Sequence, residues 1–149
     1  MSLIDMVEEK IVKIPLVSKD KPDVLRELVR ILKDADEIDD FETVLKAVQE
    51  REDKQSTGLE KGIAVPHAKT LAVSRLKLAI GIAPEGIDFD SLDGESSKLI
   101  FLLLAPPSQS GPHVQALAEI AKLASSMSFC NALIRSDNAR QVVELMKGE

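Results

Sequence analysis

The sequence predicts a layered single α/β domain, a mixed β-sheet flanked by helices. Three observations carry this. Residues 98–105 are almost entirely Leu, Ile and Phe, the pattern of a central strand covered on both faces. Residues 24–32 place Val24, Leu25, Leu28, Val29, Ile31 and Leu32 at helical spacing, a stripe made to face a core. The patterns then follow as strand, two helices, several strands and further helices, an order that fits one sheet with helical layers. The chain has 149 residues, so one domain over 1–149 is expected.

Each element has its own local signal. Residues 11–17 read as a short strand, and Pro15 lacks an N–H, which suits a sheet edge. Ser18 or Asp20 caps the first helix, with Pro22 in its first turn. A second helix begins near Asp39 or Asp40, buries Phe41, Val44, Leu45 and Val48, and ends in a charged run over 49–54. Residues 55–62 turn to loop composition. Residues 63–65 form a very short strand stopped by Pro66, with His67 directly after it. Residues 76–83 read as a strand, and Gly86 and Gly94 bracket the following turns. After the apolar strand comes a Pro-Pro loop. Ser110 or Gly111 caps the next helix, which runs to about Met127. Short helices over 129–134 and 137–146 close the chain. The methionines read as core filler.

Composition narrows the function. Hydrophobic residues at 44% exclude a disordered chain. The net charge of −6, with no basic stripe, argues against nucleic acid. Trp and Tyr are absent, so stacking platforms for bases are scarce. The longest apolar run, 99–105, is too short to cross a bilayer, so no direct membrane insertion is expected. No basic segment followed by an apolar one opens the chain, and Cys130 is a lone cysteine. A cytoplasmic location follows as the expectation. Cys130 itself reads as a small core residue.

The chemistry rests on few polar side chains. His67 and His113 are the two histidines, each expected where strands run out into loops, the edge at which open α/β sheets bind ligands. Pro66 holds His67 at a rigid strand end. His113 falls in the first turn of its helix, where the dipole and free N–H groups attract anions and favour neutral imidazole. Arg51 offers a planar guanidinium to phosphate oxygens, and Ser56 and Thr57 offer hydroxyls to the same group. A metal site of the two histidines with Asp88, Asp90 or Asp93 matches no known zinc spacing. A metal-dependent hydrolase is the competing reading. Neither a nucleotide-binding glycine loop nor a serine-hydrolase elbow occurs in the sequence. No cofactor is expected.

Two stretches together resemble a known family. Arg51-Glu52, followed by residues 56–68 ending in Val65-Pro66-His67-Ala68, resembles the active-site signature of the fructose/mannitol-type enzyme IIA domains. These domains belong to the bacterial phosphoenolpyruvate-dependent sugar phosphotransferase system, and nitrogen-regulatory enzyme IIA proteins share the signature. Residues 102–106 with 113–121 resemble the family's second histidine segment. The resemblance runs from about Ile11 to Met146.

It implies the enzyme IIA fold and a phosphohistidine relay. His67 matches the phosphorylated histidine, reacting through Nε2. His113 matches the histidine that stabilises the phosphoryl group, Arg51 an arginine beside the site, and Thr57 a polar residue at its rim. The implied donor is the phosphocarrier HPr or a paralogue, and the implied acceptor is the cysteine of an enzyme IIB. Regulatory target proteins are the partners implied by the nitrogen branch. Ala68 and Val114 replace the Gly and Leu common after the two histidines, without removing a reacting group. The net acidic charge is expected to help steer a basic carrier to the site.

Overall fold

The computed structural model describes residues 2–148; Met1 and Glu149, the ends of the expected 1–149 domain, lie outside the described residues. The elements are β1 (Val12–Lys13), α1 (Lys21–Asp34), α2 (Phe41–Lys54), β2 (Ile63–Ala64), β3 (His67–Lys69), β4 (Lys77–Ile87), β5 (Ser97–Ala105), α3 (Ser110–Ala124), α4 (Met127–Ile134) and α5 (Ala139–Lys147). Short 3-10 turns cover Leu3–Met6, Glu9–Ile11 and Pro107–Gln109.

The sheet is mixed, as expected, in the order β1-β4-β5-β2, with β3 also paired to β5. β4 and β5 run antiparallel, while β1 lies parallel to β4, and β2 and β3 lie parallel to β5. Every side chain from Leu99 to Ala105 is buried, so β5 is covered on both faces. One group of helices, α1 and α2, packs on itself and on the sheet. A second group, α3 to α5, packs separately on β5, β4 and β1. Gly81 shows how closely α1 approaches: a Cβ there would meet the Leu16 methyl groups at 2.8 Å and a Leu28 methyl at 2.9 Å.

Local chemistry explains the boundaries. Asp20, not Ser18, caps α1 by accepting from the Asp23 N–H at 2.9 Å, and Asp40 caps α2 through the Thr43 N–H at 3.1 Å. Each such cap stabilises its helix by about 1 kcal/mol. The expected 11–17 strand pairs only at Val12 and Lys13; a cis Ile14–Pro15 bond follows, and Leu16 N–H then donates to the Ile82 carbonyl. It does lie at a sheet edge.

Four other expectations change. β4 continues to Ile87, so Gly86 sits inside the strand and not in a turn; its φ of +86° marks the irregularity in the β4–β5 register. Gln109, not Ser110 or Gly111, occupies the cap position of α3, because the 3-10 turn feeds directly into the helix. α3 stops at Ala124, and Ser126 caps a separate helix that begins at Met127. Met127 is half exposed, so it is not core filler; Met146 is buried and Met6 partly so. Cys130 is buried, and burial raises its thiol pKa, in keeping with a packing role.

Candidate functional site

β2 and β3 are two pieces of one sheet edge, interrupted at Val65-Pro66. Both run along β5, with Ile63 opposite Leu99 and His67 opposite Leu103. His67 is therefore the first residue of a strand and not a loop residue after one. It sits beside the carboxyl end of its parallel neighbour β5. That same end leads through residues 106–109 into α3, which carries His113 in its opening turn. Topology thus brings the two histidines together, 5.5 Å apart between ring centres with the planes inclined by 62°.

The two rings are held differently. His67 Nδ1 lies 2.8 Å from the Val65 carbonyl. A carbonyl only accepts, so Nδ1 carries the proton, and in the neutral ring Nε2 keeps its lone pair. The partner that fixes the tautomer is a backbone oxygen two residues upstream, which no side-chain pattern announces. His113 is buried. Among the described residues, its Nε2 is the one buried side-chain nitrogen or oxygen without a hydrogen-bond partner. Such an atom carries a desolvation cost of about 1–3 kcal/mol.

His113 has its pKa lowered, first by burial, then by the nearby His67 and Lys69. The expected neutral imidazole is thus supported, with desolvation as its leading cause. A lowered folded-state pKa means that the unfolded chain binds the proton more readily. The contribution of His113 to stability is present above the ordinary imidazole value of 6.5 and is lost as pH falls through the folded value. Urea midpoints measured from pH 7.5 downwards are expected to fall less steeply in His113→Asn than in the parent. Parallel curves would remove His113 from the pH response.

A depression of about 490 Å³ opens over the pair, lined by Glu50, Arg51, Lys54, His67, Lys69 and His113 together with apolar Ala47, Ala68, Val114 and Leu117. Arg51 comes from the last turn of α2, where its Nη1 donates to the Gln55 carbonyl at 2.9 Å. Lys69 donates to Ser110 Oγ at 3.0 Å, bridging β3 to the first residue of α3. Lys69 was not expected at the site. Strand alternation is the signal that finds it, since residues two apart share a face. The charged lining is three cations and one acid, so the −6 net charge is not gathered at the site. Glu50 is outnumbered there by Arg51, Lys54 and Lys69, so the local field favours an anion over a basic carrier.

Ser56 and Thr57 do not join this group. Ser56 Oγ donates to the Phe89 carbonyl and accepts from the Gly58 N–H, on the far side of α2's end. Thr57 is buried, and both its N–H and its hydroxyl donate to the Glu52 carboxylate. Their donors serve the loop, so the expected phosphate contacts from these two residues are corrected. Asp88, Asp90 and Asp93 also lie outside the depression, with Asp88 and Asp93 accepting from backbone N–H groups of turns.

Residues 5–149 match the model of the phosphoenolpyruvate-dependent sugar phosphotransferase system EIIA 2 family. The chain belongs to that family. A fructose-specific EIIA component from Haloferax volcanii is 32% identical over 141 residues, covering 91% of this chain and 92% of the relative. A fructose-specific EIIABC component from Bacillus subtilis is 29% identical over 146 residues, and there the chain spans only 23% of the relative's length. Among solved structures, the nitrogen regulatory protein IIA-Ntr from Neisseria meningitidis superposes with a TM-score of 0.89 at 25% identity, covering 97% of this chain and 98% of that one. IIA mannitol from Escherichia coli superposes at 0.80 with 20% identity, covering 93% of this chain and 97% of that one. The EIIA fold is therefore the one expected from sequence. No helix among the described residues is long and apolar enough to cross a membrane.

Proposed function

We propose that the chain, acting as one domain over 1–149 in the cytoplasm, is a phosphocarrier. It accepts a phosphoryl group from HPr or a paralogue on His67 Nε2 and passes it to a cysteine of an enzyme IIB. The observation that carries this is the Nδ1–Val65 hydrogen bond, which leaves Nε2 as an unprotonated nucleophile in an open, cationic depression. In uptake the Nε2 lone pair forms a bond to phosphorus as the donor's P–N bond breaks, and that electron pair returns to the donor imidazole. In delivery a cysteine thiolate attacks phosphorus and the electron pair returns to His67 Nε2. The proton stays on Nδ1 throughout, donated in a hydrogen bond to the Val65 carbonyl.

His113 and Arg51 stabilise the transferred group without reacting. The His113 ring lines the depression 5.5 Å from that of His67, which supports a role beside the phosphoryl group, and Arg51 presents a planar fork to the oxygens. Arg51→Lys keeps a cation but loses the fork, and a drop in transfer rate of about tenfold is expected. Stopped-time mass spectrometry with a fixed carrier concentration reads it; an unchanged rate removes Arg51 from the step.

The acceptor is supported by a structural neighbour. One solved structure of the same fold is a complex of enzyme IIA mannitol with phosphorylated enzyme IIB mannitol from Escherichia coli. Mixing the phosphorylated chain with candidate IIB proteins is expected to move the label to a cysteine, and alkylation of the thiol beforehand is expected to block transfer. Label that never leaves His67 for any IIB favours the second reading, a nitrogen-regulatory IIA that binds target proteins in one phosphorylation state. The 0.89 superposition on IIA-Ntr supports that alternative.

A further inference from the structure

Among the buried polar side chains that the transfer chemistry does not use, Glu52 and Thr57 stand next to the segment leading to His67. Glu52 follows Arg51 on α2 but points the other way, into the protein, and is buried. Its two carboxylate oxygens take both donors of Thr57, the N–H at 2.6 Å and the hydroxyl. Behind it, Lys21 Nζ lies 3.4 Å from Glu52 Oε2 and also reaches the Phe89 carbonyl. Ahead of it, the Thr57 carbonyl accepts the Val65 N–H at 3.0 Å. Val65 then offers its own carbonyl to His67 Nδ1 at 2.8 Å.

These contacts form a continuous series from Lys21 through Glu52, Thr57 and Val65 to the ring of His67. We infer that the Lys21–Glu52–Thr57 group is a positioning device for the nucleophile, setting the tautomer of His67 through Val65. The inference rests on the phosphocarrier reading for its catalytic meaning, but its structural content stands apart from it. Val65 is held at its N–H by Thr57, so the placement of Thr57 sets where the Val65 carbonyl meets the imidazole. The loop bearing Ser56, Thr57 and Gly58 is paired only through an isolated antiparallel bridge of Gly58 with Ala64; a buried carboxylate with two contacts to Thr57 anchors the start of that pairing. Glu52 and Arg51 are adjacent on one helix turn, so α2 supplies the phosphate-facing cation and the anchor of the nucleophile together.

The test reads the tautomer directly. Long-range proton–nitrogen NMR of 15N-histidine-labelled protein at pH 8 distinguishes Nδ1–H from Nε2–H imidazole. Wild type is expected to show His67 as the Nδ1–H form. Thr57→Val removes the hydroxyl and keeps the shape. It is expected to populate the Nε2–H form and to slow phosphorylation about fivefold, the rate equivalent of one hydrogen bond, with KM for the carrier unchanged. Thr57→Ser is expected to restore both readouts, which a packing defect alone would not predict. Glu52→Gln is expected to act as Thr57→Val does, and if it does not fold Thr57→Val carries the test alone. A wild-type tautomer in Thr57→Val, with or without a rate loss, overturns the inference. A wild type that takes no phosphoryl group on His67 defeats the phosphocarrier reading instead, and the tautomer arm still decides the positioning role.

Discussion

His67→Ala is expected to take up no phosphoryl group and to keep its fold. The expected effect is complete, because the substitution removes the atom to which phosphorus bonds, and no other residue in the depression offers an unprotonated nitrogen held for attack. His113 is close, but its ring is largely buried and its Nε2 is enclosed by the packing. The fold survives because His67 is half-buried and its ring makes one hydrogen bond, to a carbonyl two residues away. The β3 backbone pairing with β5 does not depend on the side chain. Circular dichroism and an unfolding midpoint near that of the parent check the fold, and phosphopeptide mapping checks the uptake. Phosphate found on the His67→Ala chain moves the site elsewhere.

His113→Ala is expected to accept the phosphoryl group but deliver it poorly. Its Nε2 makes no hydrogen bond among the described residues, so truncation breaks none at that atom, although it leaves a cavity beside β3. What is lost is a preorganised group next to the transferred phosphoryl, and losses of this kind slow a step on the order of 100-fold. Chasing phosphorylated protein with enzyme IIB and following the intact mass against time measures the step. Delivery at the parent rate contradicts a stabilising role. A stalled uptake, with no phosphorylated species formed, makes His113 part of the first transfer as well.

The regions legible in the sequence share a property: their signal is repeated along several residues. The apolar run at 98–105 forms the doubly covered β5, and the stripe at 24–32 forms α1. His67, His113 and Arg51 are legible because the motifs around them resemble a family, and the fold brings those three to one depression. What escapes the sequence depends on single contacts across distance. Ser56 and Thr57 have the residue types of a phosphate loop, yet a hydroxyl does not declare its partner, and theirs are Phe89 and Glu52. Gly86 looks like a turn residue until its strand is seen to continue past it to Ile87. The carbonyl that fixes His67 belongs to the backbone, which every residue carries alike. Net charge misleads for a related reason: a sum of −6 says nothing about where Arg51, Lys54 and Lys69 gather.

The central claim is that His67 carries the phosphoryl group. Intact-mass spectrometry after incubation with phosphoenolpyruvate, enzyme I and HPr tests it most directly, with His67→Ala in the same mixture as the control. The account predicts one acid-labile phosphoryl group on the wild type and none on the variant. No added mass on the wild type, with HPr and with a paralogous carrier alike, or equal labelling of both proteins, would contradict it.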